Sequence, residues 1–328
     1  MKLAVMMSAL NEEATIGRVI DDIPRDAGAP MELQVIVVDD GSRDATGRIA
    51  LEKGAVVVAH ARQMGLGRSF ADGLDRALQE GADIIVNIDA DGQFDPHDIP
   101  ALIRPILDGR ADMVTATRFA RPELVPTMPW ARKWGNKQMC RLVNFATGVT
   151  ELTDVSCGFR AYNLKAALHM HLSGTFTHVQ ETVIDLANKG LRIVEVPLPI
   201  RGVREHGDSR VAHSLPHYAF RAGGIVLRTF CRTRPLLFFG VIGSALMGLG
   251  IAQGLVVFIH WLATGQTSPV RSLLVGASLF ITVGFLVLVL AFVADMLDRV
   301  IDVCEKILFF TKLDEHRRQR EDGDRPVQ

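Results

Sequence analysis

The sequence predicts an α/β domain with a mainly parallel sheet, followed by a C-terminal two-helix transmembrane hairpin. Three observations predict it. Apolar runs of strand type alternate with helix-like segments from residue 3 to about residue 120. Several of those runs end in polar clusters, at Asn11-Glu12, at Asp39-Asp40-Gly41-Ser42 and at Asp89-Ala90-Asp91. From Leu236 to Ala263, and again from Ser272 to Ala294, no residue is charged. Strand–helix alternation implies a parallel sheet covered on both faces, and ligands of such sheets bind beyond the carboxyl ends of the strands.

The strand-type runs are Leu3–Ser8, Leu33–Val38, Ala55–His60, Ile84–Ile88 and Met113–Thr117. Between them, Glu12–Ile23, Arg43–Lys53, Gly67–Glu80 and His97–Leu107 have helical spacing. Asp95 before Pro96 reads as a helix start, a capping carboxylate followed by proline at the first helical position. Gly65-Leu66-Gly67 opens another helix and would let backbone approach a ligand, although a turn needs the same residues.

At 328 residues the chain holds one large domain or two smaller ones. A net charge of -1 and a pI near 6.8 exclude a bulk nucleic-acid binder, whose signature is a strongly basic face. The mean hydropathy of +0.20 is high for a soluble enzyme and places part of the chain in lipid. Cys140, Cys157, Cys231 and Cys304 are widely spaced, suiting neither a zinc site nor a disulfide framework, and fit a reducing compartment. The apolar stretch Leu3–Leu10 runs straight into Asn11-Glu12-Glu13 and reads as a first strand, not a signal peptide. No Asn-x-Ser/Thr sequon occurs, which fits a cytoplasmic catalytic part.

Asp89 and Asp91 stand one residue apart where a buried strand ends. Two carboxylates that close repel unless something positive lies between them, and a divalent cation with oxygen ligands is the usual solution. A charged turn leaving the strand is the plainer reading. Asp39 and Asp40 could accept hydrogen bonds from a base or ribose, with Gly41 permitting a tight turn, while Ser42 or Asp44 caps the next helix.

Taken together, Ser-Ala-Leu-Asn-Glu-Glu (8–13), Val-Val-Asp-Asp-Gly-Ser (37–42) and Asp-Ala-Asp-Gly-Gln (89–93) resemble the family 2 glycosyltransferases, which have a GT-A-type nucleotide-sugar-binding fold. Asp154-Val-Ser-Cys-Gly-Phe-Arg160 and Arg204-Glu-His-Gly-Asp-Ser-Arg210 resemble the polyprenyl-phosphate and dolichyl-phosphate branch of that family. The resemblance spans roughly residues 1–212. It implies that Asp89, Asp91 and Gln93 hold Mg2+ or Mn2+ on the donor diphosphate, where the cation stabilises the charge of the leaving group. It places Asn11, Glu12, Asp39 and Asp40 around the nucleoside, and Arg204, Ser209 and Arg210 on a loop closing over the diphosphate. The chain departs from the family's common Pro and Tyr at Ser8 and Leu10, and from its common Asn at Gln63. All three positions are implied to lie near the base, whose identity stays open.

The resemblance also implies that Arg118, Arg132 and Asn136 hold the phosphate of an acceptor lipid, a task suited to the paired donors of guanidinium groups. Asp154 aligns with a proposed catalytic base. A lipid phosphate, with a second pKa near ~6, needs positioning more than deprotonation, so Asp154 is expected to orient groups instead. Glu181 is a second candidate acid.

Both uncharged stretches exceed the roughly 20 apolar residues a bilayer-spanning helix needs. Arg221, Arg228, Arg232 and Arg234 precede them, Lys312, Arg317, Arg318 and Arg320 follow, and the loop between has only Arg271, so both termini and the catalytic domain are expected in the cytoplasm. Residues 213–235 read as an amphipathic juxtamembrane helix. Gly240, Ser244, Gly248 and Ala252 form a small-residue stripe, with Gly250-x-x-x-Gly254 nearby, packing within the hairpin or in a homo-oligomer. Residues 295–328 read as a cytoplasmic helix with a disordered charged tail after Glu315.

The expected activity is metal-dependent, inverting transfer of a sugar from a nucleotide sugar to polyprenyl phosphate at the membrane, with no nucleic-acid partner. The alternatives are a glycosyltransferase acting on a hydroxyl and a non-catalytic membrane scaffold.

Overall fold

The computed structural model describes the chain except residues 27–29, 129, 150–151, 171–178, 202–234 and 324–328. It forms two compact units, residues 1–222 with 307–328, and residues 223–306.

The first unit is built on a seven-stranded sheet of β1 (Lys2–Ala9), β2 (Glu32–Asp39), β3 (Val56–Ala59), β4 (Ile84–Asn87), β5 (Met113–Thr117), β6 (Arg160–Asn163) and β7 (Ile193–Pro197). Its order is β3-β2-β1-β4-β6-β5-β7. Strands β1 to β4 are mutually parallel, as are β5 and β7, and β6 runs antiparallel between β4 and β5. Alternation along β1 explains its unbroken apolar run. Leu3, Val5, Met7 and Ala9 enter the core on one face, while Ala4 and Met6 enter the core on the other.

The first face is covered by α1 (Ile16–Asp21), α2 (Thr46–Glu52) and α4 (Ile99–Leu107). The second is covered by α3 (Leu66–Gln79), α5 (Trp130–Thr147), α6 (Leu164–His169) and α7 (Val179–Asn188). The expected helices at 12–23 and 43–53 begin three or four residues late, because residues 11–15 and 42–46 spend their polar groups on each other. Asp95 caps its helix as expected, accepting a bond of 3.0 Å from the His97 amide behind Pro96.

On the far edge of the sheet, Asp112 accepts bonds from the Arg192 guanidinium and backbone and from Asn163. Burial alone would raise this carboxyl, but the hydrogen bonds from Arg192 and Asn163 outweigh it and hold it at about 2. A depressed carboxylate adds stability that is complete above the unfolded value of 3.8 and lost as pH falls through the folded value of about 2. Asp112→Asn should therefore lower stability at neutral pH by about 1–2 kcal/mol, discounted because Arg192 is well exposed to screening solvent. In thermal unfolding of the full chain, the gap to the wild type should close between pH 3.8 and pH 2.

The second unit contains α8 (Pro235–Thr264) and the membrane-side part of α9 (Arg271–Gly323). Both helices are long and apolar enough to cross a membrane, and they expose many large apolar side chains that water would not tolerate as one surface. They meet through glycines. A Cβ on Gly243 would lie 2.9 Å from the Gly284 carbonyl, and one on Gly250 2.9 Å from the Ala277 carbonyl. Of the predicted small residues, Gly250 lies in this contact and a Cβ on Gly254 would stand 3.9 Å from Ala277 Cβ, whereas a Cβ on Gly240 or Gly248 would meet nothing within 4 Å. The expected amphipathic helix at 213–235 lies, but for its last residue, outside the described residues.

The last turns of α9 belong to the first unit. Phe309 and Leu313 pack against its core, Lys312 pairs with Asp75 at 2.9 Å, and buried His316 reaches the Ala82 carbonyl at 3.2 Å. Residues 316–323 are helical, in place of the disordered tail expected after Glu315.

Candidate functional site

Three loops leave the carboxyl edge of β1, β2 and β4 and lock together. Asn11 takes a left-handed conformation, with φ of 50°, which asparagine tolerates better than most residues. Its amide donates to Ser42 Oγ at 2.9 Å, and its side-chain oxygen accepts from the Arg43 amide at 2.8 Å. The Glu12 amide donates to Thr46 Oγ1 at 2.8 Å, and Glu13 accepts from the Ala45 amide at 3.0 Å. Thr15 Oγ1 then donates to the Ala90 carbonyl at 2.7 Å, joining this pair of loops to the one that carries Asp89 and Asp91.

Asp39 and Asp40 diverge, as neighbours on a strand must. Asp39 accepts from the Ser42 amide at 2.9 Å and points toward α2, where a Cβ on Gly47 would come within 2.6 Å of its Oδ2. Asp40 is 5% exposed and turns the other way, accepting from the amides of Met64 at 2.7 Å and Gly65 at 3.0 Å and meeting His60 Nδ1 at 2.8 Å. Of the three expected nucleoside carboxylates, Glu12, Asp39 and Asp40, Asp40 is thus committed to holding a neighbouring loop.

At the end of β4, Asp91 is 2% exposed and accepts from the Gln93 amide at 3.0 Å, forming a tight turn with Gly92 at φ 72°. Asp89 faces Gly158, where a Cβ would stand 3.5 Å from Asp89 Oδ2. The Gln93 carbonyl accepts from the Arg201 amide at 3.1 Å, and its side-chain amide reaches the Arg201 carbonyl at 3.4 Å. The chain leading to the expected closing loop therefore starts beside Gln93. Arg204, Ser209 and Arg210 themselves lie outside the described residues.

Among the described residues, no group of three or more His, Cys, Asp or Glu side chains surrounds a point where a metal would sit. Two carboxylates and a carboxamide on one strand end nevertheless make a hard oxygen donor set. Such a set fits Mg2+ or Mn2+ when phosphate oxygens supply other ligands, as is usual for Mg2+ at phosphate sites.

A second cluster lies along the 153–158 loop. Arg118 grips Asp154 with two parallel bonds, Nε to Oδ2 at 2.6 Å and Nη2 to Oδ1 at 2.9 Å. Asp154 is 0% exposed, and its Oδ1 also accepts from the Ser156 amide at 3.2 Å. Glu195 fixes the loop beneath, accepting from Thr153 Oγ1 at 2.6 Å and from the amides of Thr153 at 2.8 Å and Asp154 at 2.9 Å. Burial pushes the Glu195 carboxyl up despite these bonds. Asn136, on α5, donates to the Thr153 carbonyl at 3.2 Å, so it joins Arg118 at the same loop. Arg132 lies in α5, but its side chain falls outside the described residues. Glu195 and His60 were not singled out from sequence, because one glutamate in a strand and one histidine at a strand end carry no pattern.

The outer face of α5 is unusual. Trp130 and Trp134 stack at 6.2 Å and are 75% and 53% exposed, Phe145 is 77% exposed, and Lys133, Lys137 and Arg141 are exposed beside them.

The sequence matches the model of glycosyl transferase family 2 over residues 4–169. It is 31% identical over 193 residues to the polyprenol monophosphomannose synthase of Mycolicibacterium smegmatis, covering 56% of this chain and 72% of that one. It is 29% identical over 297 residues to the undecaprenyl-phosphate 4-deoxy-4-formamido-L-arabinose transferase of Klebsiella pneumoniae, covering 86% and 84%. Among solved structures, glucosyl-3-phosphoglycerate synthase from Mycobacterium tuberculosis, in complex with Mn2+, UDP and glucosyl-3-phosphoglycerate, matches with a TM-score of 0.54 and 25% identity, covering 70% of this chain and 79% of that one.

Proposed function

The chain belongs to glycosyl transferase family 2, and we propose that it moves a sugar from a nucleotide sugar to polyprenyl phosphate at the cytoplasmic membrane face, inverting the anomeric carbon. One observation carries this reading. The 153–158 loop presents the Arg118–Asp154 pair at one end and packs Gly158 on Asp89 at the other, so the arginine expected to hold the acceptor phosphate and the paired carboxylates share one rim.

An oxygen of the acceptor phosphate attacks the anomeric carbon as the bond to the nucleoside diphosphate breaks, and its electron pair leaves on the diphosphate. An ionised phosphate has no proton to surrender, so no base is required. Asp154, with both oxygens engaged by Arg118, serves as the orienting partner of the guanidinium. This supports a phosphate acceptor over the hydroxyl alternative. Asp89 and Asp91, with Gln93 alongside, would hold Mg2+ or Mn2+, which neutralises charge developing on the diphosphate. The complexes of the structurally similar synthase with Mn2+ and UDP support that choice. Asn11, Glu12 and Asp39 would contact the nucleoside, and Arg204, Ser209 and Arg210 the diphosphate.

The two apolar helices support a lipid acceptor. So does α5 of the first unit, whose exposed tryptophans, phenylalanine and cations suit a headgroup region. The last turns of α9 pack on the first unit, which with an even number of spans supports having that unit and the C-terminal end on one side, and the flanking arginines and lysines support the cytoplasmic side.

In bilayers, the purified protein should transfer label from one member of a nucleotide-sugar panel to polyprenyl phosphate, and chelation should stop it. Equal transfer to unphosphorylated polyprenol, or transfer untouched by chelation, would overturn the reading. Gly47→Ala should press on Asp39 and weaken UDP or GDP binding with Mn2+ by about tenfold, a loss of roughly 1.4 kcal/mol. Titration calorimetry would measure it, with thermal unfolding as the folding control.

A further inference from the structure

The least explained group beside the donor rim is His60, at the end of β3. Its side chain is 10% exposed, and both ring nitrogens meet carboxylates, Nδ1 at 2.8 Å from Asp40 Oδ1 and Nε2 at 3.0 Å from Asp72 Oδ2. Asp72 Oδ2 also accepts from Arg68 Nε at 2.8 Å, one turn earlier on α3. A neutral imidazole has one N–H, so one of the two contacts would set a ring lone pair against a carboxylate lone pair. An imidazolium donates to both, and the four groups Asp40, His60, Asp72 and Arg68 then balance as two negative and two positive charges.

The same Asp40 oxygens accept from the amides of Met64 and Gly65. The segment between His60 and Gly65 is thereby drawn down onto the end of β2. It lies so close that a Cβ on Gly41 would come within 2.7 Å of the Arg62 backbone and 2.8 Å of the Gln63 amide nitrogen. Gly41, at φ 79°, is the residue that follows Asp39 and Asp40. The position of residues 61–65 beside Asp39 therefore depends on an ion pair that involves no residue expected to touch the metal.

We propose that His60, bridging Asp40 and Asp72, is a positioning residue of the donor site, and that breaking this bridge loosens the 61–65 loop and weakens nucleotide-sugar binding. The proposal rests on the donor-site reading for its effect on binding, but the clamp itself does not. The charged groups facing the ring are Asp40 from β2 and Asp72 from α3, with Arg68 behind Asp72.

Two measurements test it. In the full chain labelled with 15N-histidine, with His60→Gln used for assignment, both His60 ring nitrogens should carry the signature of a hydrogen bond to a carboxylate, and Asp72→Asn should change that of Nε2 and spare that of Nδ1. A ring nitrogen free of either contact would overturn the bridge, whether or not any donor turns over. In steady-state transfer with the nucleotide sugar selected by the panel, His60→Gln should raise donor KM about tenfold, the loss of one charge-assisted hydrogen bond, with kcat at saturating donor changing less. Asp72→Asn should raise donor KM in the same direction. Unchanged donor KM in both variants would overturn the positioning role. Absence of any donor turnover with both contacts present would instead count against the glycosyl-transfer reading.

Discussion

Asp91→Asn should cut transfer by orders of magnitude while leaving the fold in place. Asparagine has almost the shape of aspartate, and its side-chain oxygen can still accept the 3.0 Å bond from the Gln93 amide that shapes the turn after β4. What disappears is one of the two negative charges at a buried strand end, where Asp91 is 2% exposed. If that charge helps hold a cation on the donor diphosphate, its loss acts on the charge of the leaving group, the quantity that changes most on the way to the transition state. Removing a comparable electrostatic contact costs about 10²–10³ in kcat, or roughly 3–4 kcal/mol. A fall of that order is expected here. Without substrate turnover, the same variant should lose the rise in thermal midpoint that Mn2+ with UDP gives the wild type, because a ligand stabilises only the form it binds. Wild-type transfer by Asp91→Asn would remove the metal site from the mechanism.

The rim around Asp91 was legible because strands buried on both faces read as apolar runs, and each run ended where its polar cluster began. β1 to β5 fall within a residue or two of their expected limits for this reason. β6 was hidden. It reads Arg-Ala-Tyr-Asn, and its first residue is a fully buried arginine whose Nη1 and Nη2 donate to the carbonyls of Val179 and Val155 and to Thr182 Oγ1. No local pattern announces a guanidinium inside a core, since only tertiary partners make it tolerable. The tail after Glu315 misled for the same reason, as its charged composition does not reveal that Lys312 and His316 find Asp75 and Ala82.

The pairing of site residues was less legible than their identity. Sequence places Asp39 beside Asp40 but does not say which faces α2 and which faces the loop before α3. Resemblance marked Arg118 and Asp154 separately, as an acceptor contact and as a candidate base. Their side chains are partners across 36 residues of chain, which changes the role each can have. A carboxylate gripped at both oxygens is poorly suited to accept a substrate proton and well suited to fix the guanidinium that grips it.

That pairing sets up the largest expected effect on stability. Arg118→Ala should leave Asp154, at 0% exposure, with its negative charge uncompensated. Breaking a buried pair from one side costs about 3–5 kcal/mol, and the partial exposure of Arg118 argues for the lower end, about 3 kcal/mol. For a unit of this size that corresponds to a fall of roughly 6–12 °C in thermal midpoint. The double variant Arg118→Met with Asp154→Asn removes both charges and should recover most of that loss, because the desolvation penalty leaves with the pair. It should not recover transfer, since the group proposed to grip the acceptor phosphate is still missing. Acceptor KM should stay raised by at least about tenfold, with donor KM close to that of the wild type. A double variant that regains both stability and transfer would make the pair a purely structural brace and return the acceptor site to the arginines elsewhere on the chain. One that regains stability alone would separate the two roles, with Asp154 acting on Arg118 and Arg118 acting on the substrate.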